Sequence, residues 1–393
     1  MPLPNNAIFK GNFVLVFLAS LLVFTAFYIM LPTLPVFLTR ELKIDEGQTG
    51  LILSVYTLAA LLIRPFTGFM IDRFGRKWFY IVSLLLFAII FLGYPLAGAF
   101  GFILIVRFAH GLMWGVATTT GSTLIVDIVP AEQRGEGIGL YGLAMTFPMA
   151  LGPFTGLQLT QNNNYSLMFL CAGFLAFAGF ALTLFIKYPA VPDAGIIKFS
   201  FRNLLESTSL PVTFNLLLIN ITYGGLVSFV SLYALKTGIG NTGIFFIVFA
   251  SGIALARIYM GKIFDRHGPK ALSVGGILFL AIGHFILGIC VKTTGFLIAG
   301  FILGLGSGVV FPAFQAMVNN LVPPQRRGAA NSTLFSGLDL GIGLGMLITG
   351  FLSHAIGLPH TYLIFGGLNL VALVFFLFIS LTHYQKILLR GVR

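Results

Sequence analysis

The chain has 393 residues, 58% of them hydrophobic and only 9% charged, with a mean hydropathy of +0.99. Soluble domains are about 45–50% apolar and roughly 25% charged, so a water-soluble globule and a disordered chain are both excluded. The net charge of +12 does not make a nucleic-acid surface, because the cations sit in short connections and form no continuous stripe.

A bilayer-crossing helix needs about 20 mainly apolar residues. With that ruler the expected spans, in chain order, are 13–37, 48–71, 78–99, 101–127, 135–160, 165–187, 209–236, 242–264, 271–291, 294–322, 328–354 and 359–383. Only 188–207, between the sixth and seventh, is a longer connection. The first run is too long for the core of a signal peptide and lacks a clear small-residue cleavage site, so it reads as a retained span. Four Lys or Arg (Arg40, Lys43, Lys236 and Lys292) lie at one set of span ends, and Arg64, Arg107 and Arg257 lie within spans. The other sixteen of the 23 lie at the ends shared with both termini, which places the termini in the cytoplasm. Cys171 and Cys290 each fall inside an apolar run, so no disulfide framework is indicated. No spacing of His, Cys, Asp and Glu suits a metal, and no P-loop is present. No cofactor, metal or enzymatic role is expected.

The sequence repeats itself at an offset of 193 residues. Residues 64–77, RPFTGFMIDRFGRK, align with 257–270, RIYMGKIFDRHGPK, with identities that include Arg64/Arg257, Gly68/Gly261, Asp72/Asp265 and Gly75/Gly268. The same offset pairs Gly111 and Gly115 with Gly304 and Gly308, and Arg134-Gly135 with Arg327-Gly328. One gap-free offset through separate elements marks a tandem duplication. The expected organisation is a six-helix bundle over 1–187, a cytoplasmic linker at 188–207 and a second six-helix bundle over 208–393. Such parallel repeats are one way to build a secondary transporter with its site near the bilayer midplane.

The run from Gly68 to Lys77 resembles the loop signature between spans two and three of the major facilitator superfamily, and its degenerate copy falls between spans eight and nine. RFAHG at 107–111 resembles the family's span-four arginine motif. Gly139, Gly152, Pro153 and Gly156 partly resemble the span-five motif of its drug:proton antiporter branch, with Pro148 and Leu157 where that motif has glycines. The resemblance covers the whole chain. It implies an all-α membrane protein of twelve helices in two pseudo-symmetric bundles, in a bacterial cytoplasmic membrane, working as a monomer. It also implies a cytoplasmic latch built from Gly68, Asp72, Arg73, Gly75, Arg76, Asp127, Asp265 and Arg266. Asp72 would then face the positive end of a helix, and Gly75 would take the turn's positive φ. The alternative is that Arg73, Arg76 and Lys77 only set topology. Gly111/Gly115 and Gly304/Gly308 need nothing beyond tight helix packing.

Ionisable groups at depth are costly and mark function by default. At 1.5 Å per residue, Arg64 and Arg257 each lie roughly 12 Å in from the loop aspartate that follows, and Asp339 lies roughly 16 Å into span eleven. The residue 193 positions before Asp339 is Thr146, so the two halves differ chemically. Spans two and eleven are neighbours in the family's arrangement, which would let Arg64 pair with Asp339. Asp339 is expected to be the protonatable carboxylate, with Arg64 and Arg257 offering positive charge to an anionic or zwitterionic substrate. The alternative is a static Arg64–Asp339 lock with Arg257 snorkelling to the cytoplasm. Arg107, roughly 9 Å from the outer face, takes part in proton handling on the family reading, with His110 as a relay. A structural arginine bonded to span carbonyls is the other reading of Arg107.

Tyr28, Tyr56, Trp114, Tyr141, Asn220, Tyr223 and Gln315 sit at mid-span and are expected to line a cavity for an amphiphilic ligand. The expected function is export of a small amphiphilic, anionic or zwitterionic compound in exchange for protons, by alternating access. Its partners are that substrate, protons and the lipid bilayer. Proton-coupled uptake of an organic anion or sugar, lipid flipping and a transporter-like sensor are the alternatives.

Overall fold

The computed structural model describes residues 11–96, 98–129, 134–160, 163–189, 205–239, 243–289, 292–322 and 327–391. Among them the helices are α1 Gly11–Met30, α2 Leu34–Arg40, α3 Glu46–Phe74, α4 Lys77–Ile90, α5 Phe100–Ile128, α6 Arg134–Leu159 and α7 Tyr165–Thr183. They continue with α8 Leu210–Lys236, α9 Gly243–Ile289, α10 Thr293–Asn320, α11 Arg327–Ile356, α12 Leu358–Phe375 and α13 Leu381–Gly391. Every expected span overlaps at least one of these elements. Among the described residues, nine stretches are long and apolar enough to cross a membrane, with Lys77–Gly93 and Gly243–Arg257 as shorter apolar helices. The fold is all-helical, and most of the expected linker 188–207 lies outside the described residues.

Three details depart from the expected boundaries. The first span breaks at Leu31–Thr33, because Pro32 and Pro35 bring no backbone N–H. The Thr33 hydroxyl fills the gap there by donating to Ile29 O at 3.0 Å or Met30 O at 3.1 Å. Expected spans eight and nine lie within the single helical element α9. Phe245, Phe249 and Ile253 meet Gly300, Gly304 and Gly308 of α10 in ascending order, whereas Gly276 and Gly283 meet Val309 and Leu303 in descending order. One straight helix cannot do both, so Gly243–Ile289 makes two passes of opposite sense along α10. The last span continues past residue 383, through a π turn at Phe376–Ser380 into the amphipathic α13.

The chain forms two compact units, one of residues up to Phe37 with Val55–Phe199, the other of Leu38–Ser54 with Ser200–Arg393. Within each unit the duplication reappears as contacts. Gly111 of α5 lies against the Tyr56 carbonyl of α3, and Gly304 of α10 against the Phe249 carbonyl of α9. Gly152 lies against Tyr28, and Gly345 against Ile221. Every partner is displaced by the same 193 residues. Helices approach this closely only where no Cβ intervenes, the usual basis of helix association in lipid. In the second unit Gly50 also meets the backbone of Met346 and Gly350, and Lys236 forms an ion pair with Glu46.

Candidate functional site

The first unit holds a buried polar centre on α5. Arg107 is 1% exposed, and its guanidinium lies over the Tyr56 ring, 4.2 Å from the centroid. Cation–π contact of this kind gains strength when water is excluded. Arg107 Nη1 donates to the Tyr94 hydroxyl at 3.5 Å, and that hydroxyl stands 2.9 Å from His110 Nδ1. Arginine only donates, so the Tyr94 oxygen is the acceptor of that contact. The other ring nitrogen, His110 Nε2, is a buried atom with no partner among the described residues.

Aromatic rings wall this centre. Trp114 stacks on Phe27 at 4.5 Å and meets Phe24 edge-on at 4.9 Å, while Phe27 also stacks on Tyr56 at 5.4 Å. Tyr28 follows Phe27 and is half-buried. Arg64, one turn beyond Ala60 on α3, is half-buried, with its Nη1 3.4 Å from the Thr119 hydroxyl. Tyr141 is engaged elsewhere: its hydroxyl and that of Tyr80 share Ser20 Oγ, at 3.0 and 3.2 Å. It joins a buried hydroxyl cluster that ties α1, α4 and α6 together.

At the Gly75 turn the local geometry is specific. Gly75 has φ +87° and its N–H returns to Ile71 O at 3.0 Å, a left-handed helix end that glycine accommodates. Arg76 donates to the same carbonyl at 3.1 Å and to Asp127 Oδ2 at 2.8 Å, joining the end of α3 to the end of α5. Arg73 instead projects outward over Phe74. Gly68 is open: a Cβ there would meet nothing within 4 Å. The side chains of Asp72, Asp265 and Arg266 lie outside the described residues.

The second unit places Asp339 half-buried on α11 and Arg257 exposed on α9. Asn220 Nδ2 donates back to Leu216 O at 2.8 Å, and Tyr223 faces Phe249 at 6.5 Å. Gln315 enters an amide cluster between α10 and α11. Its Nε2 donates to Asn331 Oδ1 at 3.2 Å, and Asn331 Nδ2 donates to Asn319 Oδ1 at 2.8 Å. The residues 193 positions earlier are Ser122, Val126 and Ile138, so the cluster is not part of the duplicated framework. No group of three His, Cys, Asp or Glu among the described residues is arranged to hold a metal.

Tyr94, Asn319 and Asn331 are polar residues at these centres that sequence reasoning passed over. Tyr94 lies inside the expected span 78–99, next to Pro95, where nothing local sets it apart from the other aromatic residues of apolar runs. Asn331 heads an Asn-Ser-Thr triplet, a glycosylation pattern that carries no meaning inside a span and gives no hint of an amide cluster.

A family model described as Major Facilitator Superfamily matches residues 16–250 and 235–389. A staphylopine export protein of Staphylococcus aureus is 28% identical over 359 residues, covering 84% of this chain and 87% of that protein. A homolog of the multi-drug resistance efflux pump PmrA from Lactococcus lactis is 24% identical over 397 residues, covering 96% of each. Among solved structures, a bacterial homolog of the human lysosomal transporter Spinster superposes with a TM-score of 0.79, at 15% identity, over 95% of this chain and 97% of that one.

Proposed function

The chain belongs to the major facilitator superfamily and is a multi-pass membrane transporter, and from that premise we propose that it exports a small amphiphilic zwitterion in exchange for protons. The carrying observation is Asp339. Of eleven acidic residues, it alone stands in the middle of one of the twelve apolar segments. A carboxylate there costs too much to be kept without a role.

Exchange requires that proton and cargo compete for one group. A substrate ammonium does compete with a proton for the Asp339 carboxylate, whereas a purely anionic cargo would bind more readily once Asp339 is neutral. Arg257, a cation within a span of the same unit, suits the carboxylate end of the same molecule. Zwitterions satisfy both demands. The Tyr94–His110 pair, beside the Arg107 guanidinium, suits proton handling next to the aromatic wall. The export direction is supported by the two relatives, whose names describe export and efflux.

The sixteen-to-four distribution of Lys and Arg supports cytoplasmic termini, and the exporter resemblance supports a bacterial cytoplasmic membrane. The Gly75 turn and the Arg76–Asp127 pair then face the cytoplasm, where they serve as half of a latch on alternating access within a single chain. The test is proton flux in proteoliposomes under an imposed pH gradient, driven by amino-carboxylates and by the same compounds N-acetylated. Proton movement should follow the free amines only, and Asp339→Asn should abolish it and remove the binding preference for the free amines over their N-acetyl forms. Unchanged coupling in Asp339→Asn would sink the reading.

A further inference from the structure

The outer surface of the Gly75 turn carries a pair of cations that the ion-pair network does not use. Arg76 points inward to Asp127, but Arg73 and Lys77 on either side are exposed. Each lies over the aromatic ring that follows it: Arg73 Cζ is 5.3 Å from the Phe74 centroid, and Lys77 Nζ is 5.3 Å from that of Trp78. The two rings are 64% and 66% exposed. From Trp78 an exposed apolar stripe runs along α4 through Val82, Leu86 and Ile89. A second leads to Phe74 along α3 through Phe66 and Met70. Both follow the i, i+3, i+4 spacing of one helix face.

Exposed apolar stripes at helical spacing are the surface that acyl chains cover, and aromatic rings mark the depth of the headgroups. Two cations held by rings at that depth face phosphate. We propose that Arg73, Phe74, Lys77 and Trp78 form a binding site for one anionic phospholipid, headgroup on the cations and chains along the stripes. The leaflet, cytoplasmic, rests on the orientation proposed above; the headgroup chemistry does not. A free phosphate would leave the stripes uncovered, so the occupant is a lipid.

The chain has two tryptophans, Trp78 and Trp114, and Trp114 is buried at 9% exposure. Fluorescence quenching by lipids with brominated chains therefore reads Trp78 over a nearly constant Trp114 background. The protein is reconstituted with increasing brominated phosphatidylglycerol or brominated phosphatidylcholine. The anionic lipid should half-quench at a mole fraction about fivefold lower, the enrichment that one surface cation supplies, or lower still with two. Trp78→Phe should remove the difference. Lys77→Gln should reduce it, Arg73→Gln with Lys77→Gln should abolish it, and Lys77→Arg should keep it. Equal quenching by both lipids in the unmodified protein would overturn the site. So would a matching loss in Lys386→Gln, which would mean diffuse attraction to the basic surface. None of these readings depends on transport, so they stand or fall apart from the exchange reaction.

Discussion

The Tyr94 hydroxyl stands 2.9 Å from His110 Nδ1, tying the connection after α4 to the middle of α5. Losing it strands a buried ring nitrogen and takes an acceptor from Arg107. Tyr94→Phe should therefore lower stability by about 1–3 kcal/mol, the usual cost of an orphaned buried polar group. Adding His110→Leu should cost less than His110→Leu alone, since the pair acts as one unit. Reversible denaturation in detergent, run as a double-mutant cycle, measures both numbers.

Duplicated contacts should give duplicated penalties. Gly111→Ala and Gly304→Ala each push a methyl into a carbonyl of the neighbouring helix, Tyr56 and Phe249 respectively. Each should cost about 1–3 kcal/mol as overpacking. Gly142→Ala, where a Cβ meets nothing within 4 Å, should stay within about 0.5 kcal/mol of the parent. Thermal melting followed by fluorescence size-exclusion chromatography ranks the three.

Arg76 and Asp127 are partly exposed, at 12% and 27% of their side chains. Breaking the pair should cost no more than about 1 kcal/mol of stability. If the pair is part of a latch, Asp127→Asn should nevertheless change turnover, and Arg76→Gln added to it should change turnover no further. Transport rates set against melting temperatures separate the two effects. A fall in stability with unaltered turnover would leave the pair a purely structural tie.

The N-terminal end of α3 allows a rank-order prediction. A Cβ on Gly50 would come 2.7 Å from Met346 O and 2.8 Å from Gly350 Cα, while Lys236 in the Lys236–Glu46 pair is half exposed. Gly50→Ala should therefore destabilise more than Glu46→Gln, because dry backbone contact outweighs a screened ion pair. The same melting series decides the order.

The spans were legible because apolar length is dictated by bilayer thickness, and the duplication because glycines at contacts cannot drift. The break at Leu31–Thr33 was less legible: Pro32 and Pro35 were in plain view, but an apolar run hides a turn when Thr33 can satisfy the backbone. The aromatic wall was read only in part. Tyr56 and Trp114 stood out as amphipathic residues, whereas Phe24 and Phe27 were lost among 42 phenylalanines, most of which could equally have met lipid. Tyr141 lies within α6, and its hydroxyl is committed to Ser20, a pairing across 121 residues that no local pattern encodes.

Gln315, Asn319 and Asn331 bond to one another on a scaffold whose other copy has only a serine, a valine and an isoleucine at the same places. Framework and polar cluster can therefore mutate on separate schedules. A lineage could trade amides on one half while every glycine seam stays untouched, so the chemistry of one copy can drift without loosening the packing that both copies share.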